Sequence, residues 1–480
     1  MKKALKVAIV GGSASGLLSS LTLARAGHEV VVLEQDRLKP AADRESAAAC
    51  ALRSAAPQIV QPHIVMARCR LLLMQYLPDV YSRLLAAGVA EAPIATQMPP
   101  SLADKTPRAE DDRFTLLMTR RSTIDWVLQR VVLAEPRVSM RYGVRVIGLT
   151  AVAGYPPRVT GVRTSEGELA ADLVIDATGR RSPIDRWLDE IGARSTAMSR
   201  AECGVAYFSR HYRLRRSSGL PGPATTRIVI GLDEFTVGIW GADNGTMQLA
   251  VVPLAADHRF KTLRHARVFE AVMRTIPTYA AWLDVLEPIT EVFPMGAVNN
   301  TMRRLVVDGE PAITGLIAIG DSVCTTNPTL GRGLTLALTG VTDLVDVLDR
   351  HGEEPRAQAI AFDELVGRHI LPYYEDQAAT DAARLAILKH RIFGAPLPPA
   401  PPEVAGRVTF EQLRTAALFD PTIFRAFWKV MGMISPPDEV YADPMVVALT
   451  QDVLRHHGSR PPIAQPSRAE LLAALATPPG

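Results

Sequence analysis

Val7-Ala8-Ile9-Val10-Gly11-Gly12-Ser13-Ala14-Ser15-Gly16, followed after the helix-like Leu17 to Arg25 by Val30-Val31-Val32-Leu33-Glu34, is the stretch around which the chain is organised. An apolar run turns at glycine, opens a helix and returns through a second apolar run ending in an acid. This is the layout of a dinucleotide-binding βαβ unit. Gly11 permits the tight turn, Gly12 continues it, and Gly16 lets helix and strand approach. The free amides at the helix start, with the positive end of its dipole, attract a pyrophosphate. Ser13 stands where the usual pattern has its second glycine and is small enough to be tolerated. Glu34 is placed to accept hydrogen bonds from ribose hydroxyls. A carboxylate there repels the 2′-phosphate of NADP, so the site suits FAD or NAD. The basic start and apolar middle of residues 1–26 also resemble a signal peptide, but the glycine and serine punctuation and the acid at the right distance favour the nucleotide reading.

At 480 residues the chain has material for roughly two or three structural units. With 48% hydrophobic and 21% charged residues it reads as globular rather than disordered. A net charge of +3 without a basic run argues against a nucleic-acid partner. Cys50, Cys69, Cys203 and Cys324 are widely spaced and form no C-x-x-C pair, which speaks against a zinc site or disulfide framework and fits a reducing cytoplasm. No apolar run reads as a membrane span.

Outward from the first motif, Val65 to Leu85 reads as helix broken at Pro78, and Pro93 to Asp112 as loop. Phe114 to Met118 reads as strand, and Arg120 to Leu128 as an amphipathic helix capped by Ser122. Val138 to Leu149 and Arg158 to Arg163 read as paired strands. Leu173-Val174-Ile175-Asp176 then delivers an acid to a strand end before Thr178-Gly179-Arg180. From Cys203 to Val307 strand-like segments alternate (Gly204 to Phe208, Arg227 to Gly231, Phe235 to Trp240, Met247 to Pro253, Ile289 to Met295), interrupted by one helical stretch, Thr262 to Leu286. Leu316 to Gly320-Asp321 repeats the strand-then-acid pattern, and Pro328 to Gly333 opens the apolar helix Thr335 to Leu348. Pro396 to Pro402 is a proline-rich linker, three C-terminal helices follow, and Arg460 to Gly480 reads as partly disordered. The expected fold is α/β: a Rossmann-like FAD-binding domain with an inserted antiparallel substrate sheet and a C-terminal helical segment. Its boundaries are 1–195 (with a helical and loop excursion over 57–112), 196–307, 308–393 and 394–480.

Three separated strand ends bearing Gly or Asp are more specific than any one of them. Over about Val7 to Leu348 the sequence resembles the FAD-dependent monooxygenases of the p-hydroxybenzoate hydroxylase fold. The resemblance rests on the first motif with Glu34, on Asp176-Ala177-Thr178-Gly179-Arg180, and on Gly320-Asp321 with Pro328 and Gly331-Arg332-Gly333. Leu52 to His63 is similar to the Arg-x-x-x-Pro-Gln-x-x-His-x-His segment of polyether epoxidases, with Gln61 in place of the first histidine. The Trp-x-Trp-x-Ile-Pro motif of flavin halogenases is not found, and Ile239-Trp240-Gly241 does not replace it.

The resemblance implies that Gly11, Ser13, Ser15 and Gly16 hold the FAD pyrophosphate, Glu34 the adenosine ribose, and that Gln35 lies near the adenine. Arg53 and Arg121 would reach the phosphates or ribityl chain, Val146 would make a backbone contact to adenine, and Asp321 would bind the ribityl region. Pro328 to Gly333 would lie against the isoalloxazine edge, where helix-start amides, with Arg332 as a possible added charge, offset the negative charge of reduced flavin. Asp176 and Gly179 face the same crevice on the strand-end argument alone. The implied activity is insertion of one oxygen from O2 into a hydrophobic substrate, by epoxidation or hydroxylation, through a C4a-hydroperoxyflavin. Electrons would come from NAD(P)H directly or through a separate flavin reductase. No catalytic side chain is singled out; His63 reads as a packed histidine and Cys324 as a small hydrophobe. Apolar residues on the inserted strands (Val205, Tyr207, Ile228, Val237, Ile239, Leu249, Val251) are the expected cavity wall. A flavin dehydrogenase or double-bond reductase of the same fold, a halogenase, and a non-catalytic flavin-binding protein are the competing readings.

Overall fold

A computed structural model describes residues 4–53, 56–215, 219–224, 226–296, 298–399, 404–458 and 463–478. Ser54 and Ala55 of the Leu52 to His63 segment, residues 400–402 of the proline-rich linker, and residues 460–462, 479 and 480 of the terminal segment lie outside the described residues.

The first motif forms β1 (Lys6–Val10), α1 (Ala14–Arg25) and β2 (Glu29–Glu34). β1 and β2 are nearly continuous Val, Ile and Ala because both faces of a parallel strand are covered. Three later segments join them, β3 (Val138–Tyr142), β4 (Leu173–Asp176) and β5 (Leu316–Ala318), in the spatial order β5-β4-β1-β2-β3, every pair parallel. Val10 is in register with Leu33 on one side and Asp176 on the other, and Asp176 with Ala318. Four strands therefore end level, with Gly11, Glu34, Ala177 and Ile319 at or just past their ends, the side on which open α/β sheets bind their ligands. Two long helices flank it: α2 (Arg121–Ala134) and α3 (Gly333–His351).

The second sheet is antiparallel, in the order 227–231, 235–241, 246–253, 207–214, 286–288, with Phe293–Met295 also paired to 207–214. Directly opposed residues share a face. Phe208, Val251 and Val237 fall on one side with Leu249 and Ile239, packed on the helices Ala266–Arg274 and Pro277–Leu283. The other side carries His211, Gln248, Trp240 and Arg227 in one row, and Ser209, Ala250, Gly238 and Val229 in the next.

Several local expectations are corrected. Val138 to Leu149 is not one strand. Gly143, at φ +77°, breaks it into β3 and the separate strand Val146–Val152, which pairs with Arg158–Thr164. The helical stretch 262–286 divides at Pro277, which cannot donate into a continuing helix. α2 begins after Arg120 with no side-chain cap, and Ser122 is buried in its first turn. The strand expected at 204–208 starts at Tyr207 and runs to Leu214. Part of the terminal segment is ordered: Arg468–Leu475 is a helix with a Ser467/Glu470 capping box. Its Leu471, Ala474 and Leu475 pack into the core of the antiparallel sheet. The C-terminal helices share a core with residues 94–118, and the buried pair Arg425–Asp111 (Nε to Oδ1 2.7 Å) fastens the two.

Candidate cofactor and substrate cleft

The turn after β1 admits only glycine at two points. A Cβ on Gly11, whose φ is +107°, would stand 2.6 Å from the Ala177 carbonyl oxygen, and one on Gly16 would stand 1.9 Å from the Gly11 carbonyl oxygen. Strand, turn and helix thus meet at backbone contact. Ser13 sits at the start of α1 without capping it, so among the described residues no side chain takes the first-turn amides, and Ser13 and Ser15 face the cleft. The Glu34 carboxylate accepts from the Gly12 amide (3.0 Å) and the Asp36 amide (2.8 Å). Gln35 beside it is exposed, and the Gly143 and Val144 amides donate to the carbonyls of Asp36 and Glu34.

At the other end, a Cβ on Gly320 would touch the Ser15 hydroxyl at 2.5 Å, which brings the first and last motifs together. Asp321 follows, with no hydrogen-bond partner for its carboxylate among the described residues; one of its oxygens is 3.7 Å from where a Cβ on Gly333 would stand, at the start of α3. Burial raises its pKa, against the opposing pull of Arg121 and Arg180. Gly179, at φ +83°, and Pro328, Gly331, Arg332 and Gly333 line the same cleft. Arg121 is held by Asp125 (2.7 Å) and reaches the Ser13 hydroxyl (3.4 Å). Burial, with help from Arg121, pushes the His63 imidazole down to about 3, so it is neutral near pH 7. The His63 backbone exchanges two 3.0 Å hydrogen bonds with the Gln248 amide group.

Four expected roles change. Asp176 does not face the cleft. It is fully buried and accepts from the Thr178 hydroxyl (2.6 Å), the Ser182 hydroxyl (2.5 Å) and the Ser322 hydroxyl (3.2 Å), pinning the loop that carries Gly179. Arg53 is paired with Asp36 (2.7 Å) and Glu34 (3.2 Å), at the end of β2 rather than beside Asp321. Val146 pairs with Thr164 beyond the turn, and the backbone next to Glu34 is that of Val144. Arg332 is neither an exposed arginine nor a spare charge: it has no exposure, its guanidinium donates to the Tyr373 carbonyl (2.7 Å), and it is ion-paired with Asp376.

The cleft continues without interruption into a chamber between the antiparallel sheet and the C-terminal helices, about 1740 Å³ in all. Its sheet wall is Tyr207, Ala250, Val252, Thr236 and Trp240; Val237, Ile239, Leu249 and Val251, expected there, point to the opposite face. Phe424, Phe427 and Trp428 close the far side. Composition and period alone fixed two faces but not which one the helices cover. A buried polar network escaped the sequence reading altogether: Tyr207 donates to Asn327, Asn327 to Asp381 (2.9 Å), and Asp381 also accepts from Asn300 (2.8 Å) and Arg384 (2.6 Å). Asn327, next to Pro328 in the third motif, was its one visible signal.

The residues present fit an extended dinucleotide: glycines where a side chain would fill the cradle, two helix starts without protein caps, and an unpartnered carboxylate between them. No protein-family model matches the chain. Protein Rv3254 of Mycobacterium tuberculosis is 26% identical over 353 residues, covering 68% of this chain and 69% of that protein. PqsL, described as a probable FAD-dependent monooxygenase from Pseudomonas aeruginosa, superposes with a TM-score of 0.59 at 15% identity, over 81% of this chain and 98% of that one. The flavin-dependent brominase Bmp2 gives 0.62 at 14% identity over 95% and 99%, and a flavoprotein/dehydrogenase from Cytophaga hutchinsonii 0.58 at 13% over 95% and 100%. The chain has the fold of FAD-dependent, monooxygenase-like flavoproteins. Among the described residues no helix is long and apolar enough to cross a membrane.

Proposed function

We propose that this protein is an FAD-dependent monooxygenase that inserts one oxygen from O2 into a largely apolar organic substrate, by epoxidation or hydroxylation. The observation that carries the reading is the single continuous cavity that joins the dinucleotide motifs to an aromatic chamber. Ser13, Ser15 and the α1 amides would hold the pyrophosphate, Glu34 the adenosine ribose with Gln35 and the 143–144 backbone by the adenine, and Asp321 the ribityl hydroxyls. The start of α3 at Gly331 to Gly333 would face the ring, where its dipole favours negative charge. FAD, when bound, supplies oxygen activation and transfer, with NAD(P)H as electron source directly or through a reductase.

The chain's own part is to position the substrate and exclude water. The groups at the junction suit that division of labour. His63 is held neutral, and burial raises the Tyr207 phenol far above its ordinary value while its hydroxyl is committed to Asn327. Neither is poised to take a proton near pH 7. Phe424, Phe427, Trp428 and Trp240 give the substrate an apolar, dry surround. The C-terminal helices thus complete the chamber. Reconstitution with FAD, reduction by NADH or NADPH with and without a flavin reductase, and turnover of alkene and aromatic substrates under isotopically labelled dioxygen test the reading. Label in the product is expected. Product formed by hydrogen transfer without label would assign the dehydrogenase or reductase reading instead.

A further inference from the structure

The loop that would meet the flavin ring, Asn327 to Gly333, is gripped at both ends by one helix. That helix, Leu371–Phe393, carries Asp376 and Asp381 about 7.5 Å apart along its axis. Asp376 takes the buried guanidinium of Arg332, where the loop runs into α3. Asp381, itself without exposure, takes Asn327 at the other end. Between the two, the Gln377 amide nitrogen lies 3.5 Å from the Thr329 hydroxyl.

Asn327 is tied more completely than a loop residue requires. Its side-chain N–H group donates to both Asp381 oxygens (2.9 and 3.0 Å), its side-chain oxygen accepts from the Tyr207 hydroxyl, and its backbone amide donates to the Asn300 side-chain oxygen (2.6 Å). Asn300 in turn donates to Asp381 (2.8 Å), and the half-buried Arg384 balances the charge (2.6 Å). The antiparallel sheet, the strand Asn300–Arg304 and the long helix thus converge on one residue that lies buried behind the cavity-lining Thr326 and Pro328. Burying a carboxylate, two carboxamides and a phenol is unfavourable unless each finds its partners. A set that satisfies them together holds one geometry, which apolar packing would leave looser.

We propose that Asp381, acting through Asn327, is a positioning residue that sets where the Pro328 to Gly333 segment and the first amides of α3 stand against the flavin ring, and thereby how strongly the protein favours reduced over oxidised FAD. The proposal rests on the flavin reading above. The dipole at a helix start acts only within about one turn of its end, so a displaced loop loses much of its pull on the negative charge of reduced flavin. An anchor and a bare charge predict opposite signs. Removing an anchor lets the amides drift and makes reduction harder, whereas removing a carboxylate that acts only as a nearby negative charge makes reduction easier.

The test is the reduction potential of bound FAD, read by dye equilibration without substrate, in wild type, Asn327→Ala, Asp381→Asn and Tyr207→Phe, beside amide hydrogen exchange of each protein without FAD. N327A alters no charge. Relative to oxidised FAD it should hold reduced FAD roughly tenfold less tightly than wild type does, a potential lower by about 30 mV. D381N should shift in the same direction. Y207F, which cuts one of the ties to Asn327 and keeps the test open if N327A does not fold, should shift likewise but less. Amides of residues 329–334 should exchange roughly tenfold faster in N327A and D381N, with those of 316–318 unchanged. Leu471→Ala, which weakens the core of the antiparallel sheet instead, should leave both readouts at their wild-type values. Unchanged potentials in N327A and Y207F, unchanged exchange at 329–334, or a potential that rises in D381N would each overturn the proposal alone. A wild type that takes up no FAD would overturn the flavin reading and the proposal with it.

Discussion

Asp376→Asn separates the two roles open to Arg332, an internal ion pair or a charge facing the ring. The Arg332 side chain is fully buried, its guanidinium held by the Tyr373 carbonyl at 2.7 Å and by Asp376, which also accepts from the Tyr441 hydroxyl at 2.6 Å. Replacing the carboxylate with an amide keeps an acceptor for Tyr441 but strands the cation, at a cost of about 3–5 kcal/mol. Arg332→Met strands the carboxylate and should cost a similar amount. The double variant R332M/D376N buries no charge, so its loss should fall short of the summed single losses by about 3 kcal/mol. Urea unfolding followed by tryptophan fluorescence reads this directly, since Tyr441 and Trp428 share one core. Additive losses would refute the pairing. An R332M protein of unchanged stability whose bound flavin had an altered reduction potential would return the charge to the cofactor.

Gly16→Ala places a methyl group 1.9 Å from a backbone oxygen that cannot retreat, so it should abolish FAD retention, read by flavin absorbance after gel filtration, and destabilise by at least about 1–3 kcal/mol. Stability should fall on mild acidification. His63 and His211 are depressed from 6.5 to about 3 and about 4, so below pH 6.5 the unfolded chain takes up protons that the folded one refuses. The stabilisation is present above pH 6.5 and is lost as pH falls, by up to about 2.7 kcal/mol per pH unit for two protons. Urea midpoints between pH 6.5 and 4.5 should show this slope, and His63→Gln should halve it. Truncation after residue 458 should uncover the faces beneath Leu471 and Leu475, destabilising the antiparallel sheet by at most about 3–6 kcal/mol. Limited proteolysis should then cut within 227–288 while FAD retention persists.

The parallel sheet was legible because its strands are covered on both faces and announce themselves as unbroken apolar runs ending in Gly or an acid. Position along the strand was legible too, which is why Asp321 and Gly179 reach one cleft and Glu34 ends its strand at the same level. The direction of a side chain was not. Asp176 closes its strand, whereas Asp321 lies three residues beyond Ala318, the residue in register with it; the Thr178, Ser182 and Ser322 hydroxyls gather around the first and leave the second open. The same holds for the antiparallel strands, where apolar residues stand on both faces, mixed on one with His211, Gln248 and Arg227, and only the placement of the helices decides which one is the chamber. Arg332 and Arg227 show the converse. Identical in sequence terms, they differ, among the described residues, in having or lacking an acid from a distant helix.

The position of β5 carries a consequence for synthesis. The strand that covers the outer edge of β4, and the Ser322 that steadies Asp176, arrive only after the whole antiparallel sheet has been made. While the ribosome is producing that sheet, Val174 and Ile175 border an incomplete one with unpaired backbone on its outer side. A fragment ending near residue 195 would be prone to clump with its own kind, whereas supplying the later half in trans should suppress this. Nascent chains stalled between residues 195 and 316 are where a chaperone would have most to hold.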